Sequence, residues 1–154
     1  MNDILKIVGG KKLKGAIKPQ GSKNEAFQVL AAILLTKEKV TVYNVPEILD
    51  IFNLFEIFKV LGVQIEKLDK GSYVFDASLV TVEKMRDPKF AELFSKLRGS
   101  LLIAGAMLGR FCESVIQQPG GDKIGVRPVT THVNGFIDLG ASVESSGEFQ
   151  KLNL

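Results

Sequence analysis

The sequence is short of the residues that most often carry redox, metal and acid–base chemistry: it has one cysteine, Cys112, and one histidine, His132, in 154 residues. A lone cysteine has no internal partner, so no disulfide frames this fold, and a reducing cytoplasm is the expected setting. Without clustered histidine and cysteine, no metal site is expected. Neither a G-x-G-x-x-G turn nor a Walker loop occurs, and no cofactor is implied. The net charge is only +3, with lysines scattered among acids. That gives little support to a nucleic-acid stripe, but leaves room for single cations facing an anionic small molecule. The longest apolar run, Leu101–Leu108, falls well short of the ~20 helical residues that span a bilayer, so no membrane partner is expected. Met1–Lys6 lacks the charged start and apolar stretch of a signal peptide.

Hydrophobic residues make up 45% of the chain and charged residues 24%, the balance of a globular domain. Ile4–Val8 and Leu13–Pro19 alternate loosely and read as short strands. Gly21-Ser22 reads as a helix start with Ser22 as its cap. From Ala26 to Leu35 nearly every position is apolar, which implies a buried helix. Val40–Tyr43 reads as a strand and Asn44-Val45-Pro46 as a turn. Ile51, Leu54, Phe55, Phe58 and Leu61 form a helical stripe closed by Gly62. Two alternating runs, Val63–Leu68 and Tyr73–Phe75, predict a hairpin across Asp69-Lys70-Gly71.

The second half repeats this order. Gly99-Ser100 precedes the apolar helix Leu101–Leu108, strand Val115–Gln117 follows, and a helix over His132–Leu139 leads through Gly140 into a strand at Ser142–Glu144. Leu61–Glu66 and Leu139–Glu144 occupy equivalent places, as do Gly21-Ser22 and Gly99-Ser100. Two copies of a βαβαββ unit are expected. A repeat cannot bury its apolar face alone, so the copies share a core, with helices inside and sheets outside.

Three segments could carry chemistry. Gly21-Ser22-Lys23-Asn24 offers helix N-terminal N–H groups and a full positive charge to an anion; read alone, it is more readily an ordinary cap with a solvated lysine, because caps are common. Arg98-Gly99-Ser100 holds the same place in the second copy, and in isolation is a surface arginine. Pro119–Pro128 contains three glycines, one acid (Asp122) and two cations (Lys123 and Arg127). It reads either as a ligand-covering loop or as a flexible hairpin with solvated charges. His132 reads as a structural hydrogen-bonder and Cys112 as a packing residue.

Taken together, Gly21-Ser22-Lys23-Asn24, Asn44-Val45-Pro46, Leu97–Ser100, Pro119-Gly120-Gly121, Gly125–Pro128 and His132 resemble the enolpyruvyl transferase family in order and spacing. The resemblance runs over essentially the whole chain. Asn24 after Lys23, and the Pro-Gly-Gly loop with its acid, make it more similar to the members that act on UDP-N-acetylglucosamine than to those that act on shikimate 3-phosphate.

The resemblance implies an α/β (α+β) fold of two domains, each of three βαβαββ units, an inside-out α/β barrel. Two units of one domain are present here, over residues 20–154. Residues 1–19 would supply strands to the other domain, and the sequence would be the front of a longer chain. The implied reaction moves enolpyruvyl from phosphoenolpyruvate to the 3-hydroxyl of UDP-N-acetylglucosamine and releases phosphate. Lys23 and Arg127 would hold phosphoenolpyruvate, Arg98 would face it or the nucleotide sugar, and Asn24 would bind the sugar. Arg127, Pro128, Val129, Thr130 and Thr131 would contribute to the uridine site. Asp122 would be the general acid, standing where most members have a reactive cysteine. Thr130 replaces a common aspartate and Gln28 a common proline. Outside this family, the remaining alternative is a non-catalytic module that binds a nucleotide or RNA.

Overall fold

The computed structural model describes residues 4–117, 120, 125, 128–146 and 149–154. Helix α1 (Lys23–Ile33) begins where Ser22 Oγ accepts the Glu25 N–H at 3.4 Å. Strand β1 (Val40–Val42) is followed by helix α2 (Leu49–Leu61) and by the hairpin β2 (Gln64–Asp69) and β3 (Ser72–Asp76). Gly62 ends α2 at φ 101°, a left-handed conformation that glycine adopts without steric cost. A 3₁₀ turn (Glu83–Arg86), helix α3 (Pro88–Phe94) and a second 3₁₀ turn (Arg98–Leu101) lead to α4 (Leu102–Phe111). Then come β4 (Glu113–Gln117), α5 (Thr130–Asp138), β5 (Ser142–Ser146) and β6 (Phe149–Asn153).

The internal repeat is visible in the topology. Each copy runs helix, strand, helix, hairpin, and each closes a three-stranded antiparallel sheet with its last strand in the middle: β1-β3-β2 and β4-β6-β5. The leading strand of each expected βαβαββ unit has no counterpart among the described residues. Residues 4–20 form neither helix nor strand, and Ile4, Leu13 and Ile17 are more than 90% exposed. Alternation there predicts strand, but an extended segment becomes a strand only by pairing, and these residues pair with neither sheet.

Helix α4 is apolar all round because it serves two cores. Ile103, Ala106 and Met107 join the larger cluster with Phe27, Leu30, Phe55, Phe58 and Phe75. On the opposite side, Leu101, Ala104 and Leu108 join a smaller cluster with Ile116, Val133, Ala141 and Leu152. The spacing, i, i+3, i+4 in the first set and i, i+3, i+7 in the second, places each on one face, with Leu101 in the cap position just before α4. Helix α1 departs from the expectation of full burial: Phe27, Leu30, Ala31 and Ile33 are buried, but Val29 and Leu35 are about half exposed.

Arg110, in the last turn of α4, ties the copies together. Its guanidinium donates to the carbonyls of Leu34 (2.9 Å), Thr36 (3.0 Å) and Ala77 (3.1 Å). These acceptors include carbonyls at the end of α1, which have no intrahelical partner. Cys112, expected to pack, is instead exposed, in a left-handed conformation at φ 56° that ends α4.

Candidate active site

Close backbone contacts bring the sequence motifs together. Gly21 lies directly against the Asn44 carbonyl, and any Cβ there would overlap that oxygen. The Gly21-Ser22 helix start and the Asn44-Val45-Pro46 turn are therefore one structural piece. The turn is itself fixed to the β2–β3 hairpin, since the Val45 N–H donates to the Gly71 carbonyl at 2.9 Å.

Glu47 completes this anchor. Its Oε1 accepts from the Gly71 N–H (3.1 Å) and the Tyr73 hydroxyl (2.9 Å), and pairs with Lys67 Nζ at 2.7 Å. The Lys67 ammonium, with the Gly71 and Tyr73 donors, lowers the Glu47 carboxyl to about 2. Hydrogen bonds to the charged form have this sign. Lys67 is raised by the same pairing, and Tyr73 is raised mainly by burial, then by Glu47. The sequence signal for the turn is clear, but nothing local marks Glu47, whose partners lie twenty or more residues away.

Lys23 is the first residue of α1, and Phe27 stands one turn on, on the same face. The ring of Phe27 packs tightly under Gly99: a Cβ there would meet three ring carbons at 3.1 Å, and the ring would have to give by a few tenths of an ångström. This contact seats the Arg98 turn beside the start of α1. Ser100 is buried, and its hydroxyl donates to the Phe94 and Leu97 carbonyls, which holds the turn in shape. Arg98 Nη2 in turn reaches the Pro128 carbonyl at 3.4 Å, at the entrance to α5. The equivalent starts of the two copies, and the start of α5, are thus neighbours.

Pro128, Thr130 and Thr131 are exposed, while Val129 is half-buried against the smaller core. Val129 occupies the cap position of α5 and carries no oxygen. Of the first-turn N–H groups of α5, those of His132 and Val133 donate to the Val129 carbonyl at 3.0 and 3.1 Å, and no side-chain cap serves the others among the described residues. Lys23 Nζ pairs with Asp50 Oδ2 at 2.9 Å, both side chains partly exposed. Asn24 is exposed. Asp122, Lys123 and Arg127 lie outside the described residues. Gly120, at the start of their loop, presses against the Ser95 carbonyl and leaves no space for a Cβ. His132, expected as a structural hydrogen-bonder, is exposed on α5.

A separate groove of about 160 Å³ lies between Ser22, Glu25, Ala26 and Val29 of α1 and residues 42–45. Neither Lys23 nor Arg98 lines it, and Glu25 is the one ionisable side chain among its walls apart from Tyr43. It does not match an anionic ligand.

The enolpyruvyl transferase NikO from Streptomyces tendae has the same fold, with a TM-score of 0.74 at 22% identity over 95% of this chain and 31% of that one. UDP-N-acetylglucosamine 1-carboxyvinyltransferase from Bacteroides fragilis is 45% identical over 88% of this chain. The proteins of the same name from Bacteroides thetaiotaomicron and Porphyromonas gingivalis are 44% and 40% identical over 94% and 96% of it. The chain spans about a third of the length of these curated relatives. Among the described residues, no helix is long and apolar enough to cross a membrane. The model of the EPSP synthase (3-phosphoshikimate 1-carboxyvinyltransferase) family matches residues 7–154, and the chain belongs to that family.

Proposed function

We propose that this chain supplies the first two units of one domain of an enolpyruvyl transferase that acts on UDP-N-acetylglucosamine, in the cytoplasm, at the entry to peptidoglycan synthesis. The observation that carries the reading is the 40–45% identity, over most of the chain, to proteins named for that reaction. The clustering of the Lys23, Arg98 and Thr130 segments supports it. In this reading residues 1–19 pair as strands in the other domain, which fits the absence of strand pairing at 4–19 among the described residues, and residues 20–154 form the two units.

The reaction is an addition followed by an elimination. The sugar 3-hydroxyl adds to C2 of phosphoenolpyruvate while a proton is delivered to the methylene carbon. The resulting ketal then loses phosphate and a methyl proton, which restores the vinyl group. Asp122 is the general acid, and loop closure would keep its proton available and exclude water. Lys23 and Arg127 balance the anion's charge, which they do best in a water-poor site. Arg98 faces phosphoenolpyruvate or the nucleotide sugar. Asn24 positions the sugar, and Arg127, Pro128, Val129, Thr130 and Thr131 form part of the uridine site. The base comes from elsewhere in the complete protein.

The family model's own name favours a second acceptor, shikimate 3-phosphate. Phosphate release from phosphoenolpyruvate with each acceptor, measured on the complete gene product, separates the two. Lys23→Ala and Arg127→Ala should each lower turnover at least about a hundredfold. Near-normal turnover in either variant rejects the role given to that residue. The purified 154-residue chain, which spans about a third of its relatives' length, should release no phosphate.

A further inference from the structure

Resting on the proposed function, we infer that Asp50 is a positioning residue that aims the Lys23 ammonium at the phosphoenolpyruvate anion. Lysine is a poor aiming device by itself, a compact charge on a flexible four-carbon stem. Here that charge meets a carboxylate at 2.9 Å, and the two ends of the pair differ in rigidity. Asp50 belongs to the first turn of α2, where the helix dipole favours a negative charge. It is flanked by Ile51, which is fully buried, and the chain is pinned three residues earlier by the Glu47 anchor on the β2–β3 hairpin. Asp50 is thus the fixed end and Lys23 the movable one.

An ammonium has three N–H donors in tetrahedral array. When Asp50 takes one, the axis of the other two is restricted to a cone around the Nζ–Oδ2 direction. The pair also offsets the placing of a cation at the positive end of α1, where the dipole disfavours it. As an exposed ion pair it should add little to folding stability. Its effect should appear instead as preorganisation, because an anion arriving at an already oriented donor loses less affinity to ordering that side chain.

The test uses the complete gene product with phosphoenolpyruvate and UDP-N-acetylglucosamine. Asp50→Asn keeps the shape and removes the charge. It should raise KM for phosphoenolpyruvate about tenfold, while KM for the sugar nucleotide and the thermal midpoint stay nearly unchanged. Asp50→Glu should recover part of the loss. In a Lys23→Ala background, Asp50→Asn should cost less than about twofold, since the residue acts through Lys23. An enzyme that depends on Lys23 but has an unchanged phosphoenolpyruvate KM in Asp50→Asn overturns the inference alone. So does an Asp50→Asn cost of equal size with and without Lys23. A protein that transfers enolpyruvyl to neither acceptor overturns the inference together with the reading on which it rests.

Discussion

The two copies share one topology but differ in how each connects its first strand to its second helix. In the first copy, β1 passes to α2 through residues 43–48, a short turn whose Val45 and Glu47 are bonded to the hairpin tip at Gly71. In the second, β4 passes to α5 through residues 118–129, the glycine-rich segment that carries Asp122 and Arg127. The cores differ in the same direction. The first copy contributes Phe55, Phe58 and Phe75 to the larger cluster, whereas the second has a cluster of smaller residues around Leu108 and Leu152. A duplicated unit can divide its tasks in this way: one copy's connection is a structural lock, and the proposed function assigns chemistry to the other's.

The largest expected effect lies in the second copy's connection. In the complete gene product, Asp122→Ala should lower turnover about 10²–10⁴-fold, the usual range for losing a general acid. The unmutated protein should resist irreversible inactivation by the epoxide fosfomycin, because a carboxylate is a far weaker nucleophile than a thiolate. Asp122→Cys should keep activity and gain time-dependent inactivation with a covalent adduct on this loop, read by intact mass. Inactivation of the unmutated enzyme with such an adduct would reject the role of Asp122.

The core asymmetry predicts the next effects, all readable by urea denaturation. Phe58→Ala, at a fully buried site in the larger cluster, should cost about 3–5 kcal/mol. Leu152→Ala in the smaller cluster should cost less, toward the lower end of the 2–5 kcal/mol known for such changes (~2 kcal/mol). Equal costs would mean that the two copies are held with equal strength. Gly99→Ala forces a methyl against the Phe27 ring and should destabilise by about 1–3 kcal/mol. It should also lower activity through displacement of Arg98.

The smallest effect tests the lock. The Glu47 carboxyl is lowered in the fold from 4.5 to about 2, so between these values the unfolded chain binds more protons than the folded one. The contribution of Glu47 is therefore present above pH 4.5 and is lost as pH falls toward 2. Glu47→Gln should flatten the acid limb of the stability profile and leave the neutral region with a constant deficit. An unchanged acid limb in that variant would remove Glu47 from the lock.

Features governed by local chemistry were legible in the sequence. The Ser22 cap, the Gly62 stop, the hairpin across Asp69-Lys70-Gly71 and the duplicated helix starts all follow from residues next to one another. What depends on distant partners was not. Ile4–Val8 and Leu13–Pro19 alternate as a strand does, yet alternation cannot supply an edge to pair with. Helix α3 does carry a local signal, since Asp87-Pro88 is a cap and first-turn pair, with the Asp87 side chain accepting the Lys89 N–H at 2.7 Å. Strand β6 (Phe149–Asn153) lacks a clean alternation and is defined by pairing with both neighbours. Glu47 and Asp50 look like ordinary acids near a helix start, and their partners are separated from them by some twenty residues or more. The motifs of the site were all present in the sequence, but the Phe27–Gly99 and Gly21–Asn44 contacts that join them were visible only in three dimensions.

The most direct measurement is phosphate release from phosphoenolpyruvate by the complete gene product, run in parallel with UDP-N-acetylglucosamine and with shikimate 3-phosphate. Release should depend on UDP-N-acetylglucosamine and fall at least about a hundredfold in Lys23→Ala. Release driven by shikimate 3-phosphate instead, or by neither acceptor, would contradict the proposed transferase.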